Sequence, residues 1–237
     1  MNLSSKELKR QARENLNGRY GLPMGTFVVT ALAVQAAAFP FRYSYQKNPT
    51  TLQLNILTLA IIIISVLSII PYCGIIRIHL DMARGKEKNF SDLFYYFNHR
   101  PDRMLLPILL LILLFFVILI PSYVCIVCYR FFHTGGWMIL TLFLIAATTV
   151  LFCFLTLSFN LVYYFLVDNE TIGTMTAFRL SWEHMKGNRG RLLYIWLSFM
   201  GMALLGLLSF GIGFLWVTPY ISQTIAVFYR NIIGEVS

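Results

Sequence analysis

The chain has 237 residues, of which 58% are hydrophobic and only 12% charged, with a net charge of +9. A soluble domain carries about 25% charged residues, so a separate soluble domain of any size is excluded. The positive balance does not point to nucleic acid, because the basic residues flank apolar stretches instead of forming a basic face; beside such stretches they read as topology signals and contacts to anionic lipid.

Residues 1–20 are polar and contain no apolar run, so they are not a cleaved signal peptide. They predict an amphipathic basic helix. Ser4 and Glu7 have capping-box spacing, Lys6, Lys9, Arg10 and Arg13 share one face, Leu8, Ala12 and Leu16 form a thin apolar stripe, and Gly18 ends the helix. Such a helix is expected to lie at the inner membrane surface.

Residues 21–237 predict one membrane domain. A helix needs about 20 apolar residues to cross a bilayer core of roughly 30 Å. Leu22–Phe41 supplies a first span, and Leu52–Ile76, Met104–Tyr129 and Phe131–Val167 contain no Asp, Glu, Lys or Arg. Leu192–Tyr229 is also uncharged, but its 38 residues would reach about 57 Å as one helix. Ser209-Phe210-Gly211-Ile212-Gly213 is the expected break. The fold class is therefore all-α, a polytopic transmembrane helix bundle of about six spans. With the N-terminus inside, sixteen of the nineteen Lys and Arg fall on the inner side; Arg42, Lys47 and Arg130 fall outside. That bias places both termini in the cytoplasm.

The inner loops carry amphipathic patterns. Ile172, Met175, Phe178, Trp182 and Met185 recur at helical steps, and Gly187-Asn188 ends that segment. Ser91 is the expected cap of a shorter aromatic helix containing Phe90, Phe94 and Phe97. A weak parallel repeat links the two regions. Asp81 precedes Arg103 by 22 positions, and Asp168 precedes Arg191 by 23. Each unit runs span, acid, amphipathic helix, base, span; membrane hairpins of independent origin give the same pattern.

Chemistry is sparse. There is no H-E-x-x-H, no Gly-x-Ser-x-Gly and no Walker glycine loop. Cys125 and Cys128 have the spacing of half a zinc or redox site, but no second pair or acid cluster completes it, so buried thiols are the expectation and no metal or other cofactor is called for. Glu183 and His184 are neighbours in sequence and point apart on a helix. Arg77 and Asp81, four apart, predict a structural ion pair near the interface; the alternative is a gate or a head-group contact. Arg100, Arg103, Lys186, Arg189 and Arg191 are the candidates for a lipid head group at the inner leaflet. The sparse core polar groups, Gln35, Asn55, Asn160 and Gln223, predict hydrogen bonds between helices.

The second half is similar to the integral membrane proteins of domain of unknown function 975, found mainly in Gram-positive bacteria. The residues that carry the resemblance are Asp168-Asn169, Ser181, Met185-Lys186-Gly187-Asn188, Arg191-Leu192, Leu197-Ser198-Phe199, Gly211-Ile212-Gly213, Trp216, Pro219-Tyr220, Thr224, Ala226 and Phe228-Tyr229. Leu8-Lys9, Ala12, Leu16 and Gly18 fit the family's leader helix. The chain departs from the pattern around Arg130–Thr156, where an extra hydrophobic stretch intervenes. The resemblance implies a protein of the bacterial cytoplasmic membrane with no assigned activity. A more distant likeness, to membrane regions fused to glycerophosphodiester phosphodiesterases, hints at lipid or envelope metabolism by analogy. The function expected is therefore non-enzymatic: binding, or assisting the transport of, a lipid or amphipathic molecule. The alternative is an accessory or scaffold subunit of an envelope complex. The expected partners are anionic lipids of the inner leaflet and other membrane proteins.

Overall fold

The computed structural model describes residues 3–43, 50–132 and 134–236; Lys47, one of the three expected outer charges, lies outside them. The described chain is all-α. It comprises α1 (Ser5–Leu16), α2 (Gly21–Tyr43), α3 (Thr51–Leu67), α4 (Ile69–Ala83), a 3₁₀ turn (Phe90–Phe94) running into α5 (Tyr95–Asn98), α6 (Pro101–Phe132), α7 (Gly135–Phe159), α8 (Val162–Asp168), α9 (Thr174–Met185), α10 (Arg189–Leu208) and α11 (Phe214–Ile232). Five segments are long and apolar enough to cross a membrane: Gly21–Tyr43, Thr51–Ala83, Pro101–Phe132, Gly135–Asp168 and Arg189–Leu208. The sixth expected span, α11, is a helix, but it carries Gln223, Arg230 and Asn231 and is mostly buried in the protein core.

Two of the long segments are broken helices. α3 gives way to α4 at Ser68, whose hydroxyl donates to the Ser65 carbonyl at 2.7 Å. α7 gives way to α8 at Asn160-Leu161. The segment Thr51–Ala83 has 33 residues, about 50 Å of helix, against a bilayer core of roughly 30 Å. Its inner part, α4, therefore extends into a polar end, where it packs against α8. In element order, α3–α4–α5–α6 has a counterpart in α7–α8–α9–α10.

The core sits at that end. All residues from Leu161 to Val167 are buried, and α4, α11 and α1 complete the cluster. The stripe Leu8, Ala12 and Leu16 is fully buried against α11, α4 and α10, so the leader helix belongs to the packed core. Ser4 caps it, accepting from the Glu7 amide at 3.2 Å. Glu7 itself turns to Arg10, at 2.5 Å, instead of closing the box. Lys9 lies over the Phe199 ring and donates to the Ser198 carbonyl; burial holds its ammonium below the usual lysine range.

Gly74 permits the closest approach in this core. A Cβ there would stand 2.2 Å from the Leu93 carbonyl oxygen, so α4 meets the 3₁₀ turn backbone to backbone. Asn89, two residues before the expected Ser91, caps that turn with Asp92. The α10–α11 hairpin turns where the glycines predicted, with φ of 53° at Phe210 and 88° at Gly211.

The predicted stripe is buried in part, Met185 fully and Ile172 and Phe178 partly, together with small residues of α9 beside it. Thr174, Ala177, Ser181 and Met185 are buried, while Met175 is 71% exposed. Small side chains let α9 approach α7 and α8 closely, and Ser181 donates to the Ser158 carbonyl at 2.8 Å. Phe178 and Trp182 flank that contact by packing on Phe159.

Candidate functional site: a basic rim at the packed end

Both chain ends meet at this end of the bundle. The Leu3 amide donates to Asn231 Oδ1 at 3.3 Å, and Arg191 donates to the Leu3 carbonyl at 2.8 Å and to Asn231 at 2.9 Å. Arg84, at the end of α4, holds Asp168 of α8 at 2.5 Å and also pairs with Glu235. The hydrogen bond to Asp168 leads the effects that raise the Arg84 pKa above the ordinary arginine value. Arg230 bonds Glu235 at 2.9 Å and the Ala83 carbonyl. Arg84 above all, then Arg230, keeps the Glu235 carboxyl below its ordinary range. Tyr229 donates to the second oxygen of Asp168 at 2.9 Å.

The expected Arg77–Asp81 ion pair does not form, although the spacing along α4 is as predicted. Arg77 lies 3.6 Å above the Tyr95 ring and reaches Glu170 at 3.3 Å. Asp81 instead receives Lys88 at 2.9 Å and Lys86 at 3.5 Å from the turn that follows its own helix. Each side chain finds a partner better aligned than its helical neighbour. A pair within one exposed helix contributes only about 0.3–0.5 kcal/mol, so little holds it together against these competitors.

Beside Arg77 opens a cavity of about 590 Å³, lined among others by Tyr95, His99, Arg100, Arg103, Glu170 and Thr171. The α5 turn supplies the aromatic wall: the His99 ring stacks on Tyr95 at 4.1 Å and its Nδ1 lies 3.0 Å from the Tyr95 carbonyl. Tyr95 donates to Glu170 Oε1 at 3.1 Å. Burial lifts the Tyr96 hydroxyl to about 12, so it remains a neutral donor, reaching the Val167 carbonyl at 3.5 Å. Arg103 donates to the Asn169 carbonyl, and the Nε atoms of Arg77 and Arg103 are buried with no hydrogen-bond partner. A second cavity of about 270 Å³ is lined by Arg77, Arg84, Lys86 and Lys88 with Asp81, Asp168 and Glu170.

The five head-group candidates therefore divide. Arg100 and Arg103 line one cavity. Arg189 lies between the Phe154 and Trp182 rings, at 4.4 and 4.7 Å, and donates to Ser158 at 2.8 Å. Arg191 ties α10 to the two chain ends, and Lys186 is exposed. Sequence reasoning missed Glu170. Its partners Arg77 and Tyr95 lie 93 and 75 positions away, and no local spacing reports such a contact.

Among the described residues there is no group of three or more side chains able to hold a metal. All four cysteines are free; Cys73 and Cys125 are buried, Cys128 is half-buried and Cys153 is exposed. Of the core amides expected to bond between helices, Gln223 meets His79 at 2.7 Å, whereas Gln35 accepts from Arg42 on its own helix. What the rim offers chemically is convergent cationic and phenolic donors, an arrangement suited to an oxyanion.

No curated protein and no solved structure matches the chain. The family described as "Protein of unknown function (DUF975)" matches residues 1–235, nearly the full length, and the chain belongs to it.

Proposed function

We propose that this protein is a multi-pass protein of the bacterial cytoplasmic membrane whose inner basic rim binds the anionic head group of a lipid or amphipathic molecule, without chemistry on it. The observation that carries the reading is the cavity lined by Arg100 and Arg103; the Nε of Arg103 is buried with no hydrogen-bond partner. Buried donors are nearly always satisfied, and a phosphate oxygen would satisfy this one.

Topology supports the placement. The two chain ends touch through Leu3 and Asn231, which supports an even number of crossings between them. Counting α11 as the return from α10 gives six crossings and puts the rim, with most of the basic residues, on the cytoplasmic side. The exposed apolar α6–α7 hairpin favours a second reading, an accessory subunit that meets another membrane protein there.

Replacing Arg100 and Arg103 with Gln tests the first reading. Native mass spectrometry of the purified protein should then show loss of bound anionic lipid. Reporters after Gly18, Arg100 and Arg230 should still read cytoplasm. Unchanged lipid retention with a stoichiometric co-purifying protein would replace the first reading with the second.

A further inference from the structure

One anion already occupies the rim: the Glu170 carboxylate. Its Oε1 receives both Arg77 and the Tyr95 hydroxyl, at 3.3 and 3.1 Å. The two sides of this contact differ in how firmly they are held. The Arg77 side chain is 22% exposed and lies over the Tyr95 ring, whereas the Glu170 side chain is 55% exposed. Glu170 stands in the short connection between α8 and α9, where Asn169 Oδ1 accepts from both the amide and the hydroxyl of Thr171. The cation is held by packing, and the anion stands at the more exposed side of the contact.

The carboxylate also leaves the site incompletely used. The Nε atoms of Arg77 and Arg103 remain buried and unpartnered beside it. A carboxylate has two oxygens, and one of them already takes two donors. A phosphate group offers more oxygens and up to one further charge. Glu170 lines both rim cavities. Six cationic and three carboxylate side chains line the two together, a balance that favours a more highly charged anion than a carboxylate.

The geometry points to an oxyanion site formed by Arg77, Arg103 and Tyr95, in which Glu170 is a resident surrogate that a phosphate-type head group displaces. This assignment rests on the reading of the rim as a head-group site and adds its chemistry: a phosphomonoester or phosphodiester that must compete with an internal carboxylate. A zwitterionic choline lipid, whose phosphodiester charge is offset by its own ammonium, competes less well than an anionic one.

The test uses the full chain in nanodiscs of phosphatidylcholine, titrated with phosphatidic acid or with inorganic phosphate. Glu170→Gln removes the competitor and should tighten phosphatidic acid binding about two- to fivefold, the strength of a half-exposed ion pair that no longer has to be broken. Glu170→Asp keeps the charge but shortens its reach, and should fall between the wild type and Glu170→Gln. Adding Arg77→Gln to Glu170→Gln should abolish the gain. Melting curves without added lipid show that each variant is folded.

Unchanged or weaker binding by folded Glu170→Gln overturns the surrogate. If Arg100→Gln still weakens binding in that case, the rim remains a head-group site and only this inference fails; if neither variant matters, both fail. Inorganic phosphate binding as tightly as phosphatidic acid would uphold the oxyanion site and remove the lipid from it.

Discussion

The α6–α7 hairpin is richer in leucine, isoleucine and phenylalanine than the helices of the packed end, yet it buries far fewer of them. At the packed end, α8 is buried from Val162 to Val167, and Leu8, Leu93, Leu161 and Met104 are at most 1% exposed. In the most apolar window of the Gly135–Asp168 span no residue is buried, and Leu113, Phe116, Leu142 and Phe143 stand more than 60% exposed. α6 and α7 mainly contact each other. The difference shows that apolar content alone does not locate a core. In a bilayer the surroundings of a helix are as apolar as its side chains, and association rests on close packing and hydrogen bonds. Where the chain leaves the bilayer, burial of apolar area contributes fully, at about 25 cal/mol per Å².

The strongest way to break that comparison is a matched pair of leucine truncations. Leu8→Ala removes a fully buried side chain from the contact of α1 with α11. It should cost about 3 kcal/mol and expose α1 to protease. Leu113→Ala, at a site 62% exposed on α6, should change stability by no more than about 0.5 kcal/mol. Thermal melting in one mild detergent checks both. Equal losses would show that the leader helix is not part of the core.

Two glycines sharpen the contrast with opposite signs. Gly74→Ala sets a methyl group against the Leu93 backbone, which cannot rotate away as a side chain could; the strain should cost about 2 kcal/mol. Gly201→Ala, on an exposed face of α10 with nothing within 4 Å, should gain up to about 1 kcal/mol from helix propensity. The same melting assay reads both, and a neutral Gly74→Ala would mean that α4 and the 3₁₀ turn are not in backbone contact.

How much of this was legible in the sequence follows the same division. Features fixed by local chemistry were readable: the apolar stretches, the stops at Gly18 and Gly187, the hairpin at Phe210-Gly211, and the stripe Leu8, Ala12 and Leu16. Features fixed by distant partners were not. The break at Ser68 has no glycine, and its proline, Pro71, falls inside the first turn of the next helix, where it is tolerated. α9 turned on small residues, because Ala177 and Ser181 allow an approach to α7 and α8 that Met175 would block. The rim was half readable. Arg100 and Arg103 were identifiable by type and place, but the choice of Glu170 over Asp81 by Arg77 depends on Tyr95, which fixes the guanidinium from another element. Arg189 and Arg191 have the same charge and the same position beside a span, yet aromatic rings and backbone carbonyls take them up.

Acid provides the smallest of the expected effects and the cleanest separation of the two regions. Asp102, in the first turn of α6, is the one carboxylate of the α6–α7 hairpin, and between it and Asp168 the sequence contains no Asp or Glu, so acid sensitivity comes mainly from the packed end. Glu235, held by Arg84 and Arg230, has a carboxyl below its ordinary range. A depressed carboxyl pKa stabilises the fold above the unfolded value, about 4.3 for Glu, and that contribution is lost as pH falls through the lower folded value. The Glu235 side chain is one-third exposed, so solvent screening limits the effect to about 1 kcal/mol or less. Wild type should therefore melt slightly above Glu235→Gln at pH 7, and the gap should close as the pH is lowered from about 4.5 toward 3. Arg84 still holds Asp168 in the variant, so the variant keeps the rest of the polar end. A gap that persists to pH 3 would mean that the Glu235 clasp on Arg84 and Arg230 is not what distinguishes the two proteins.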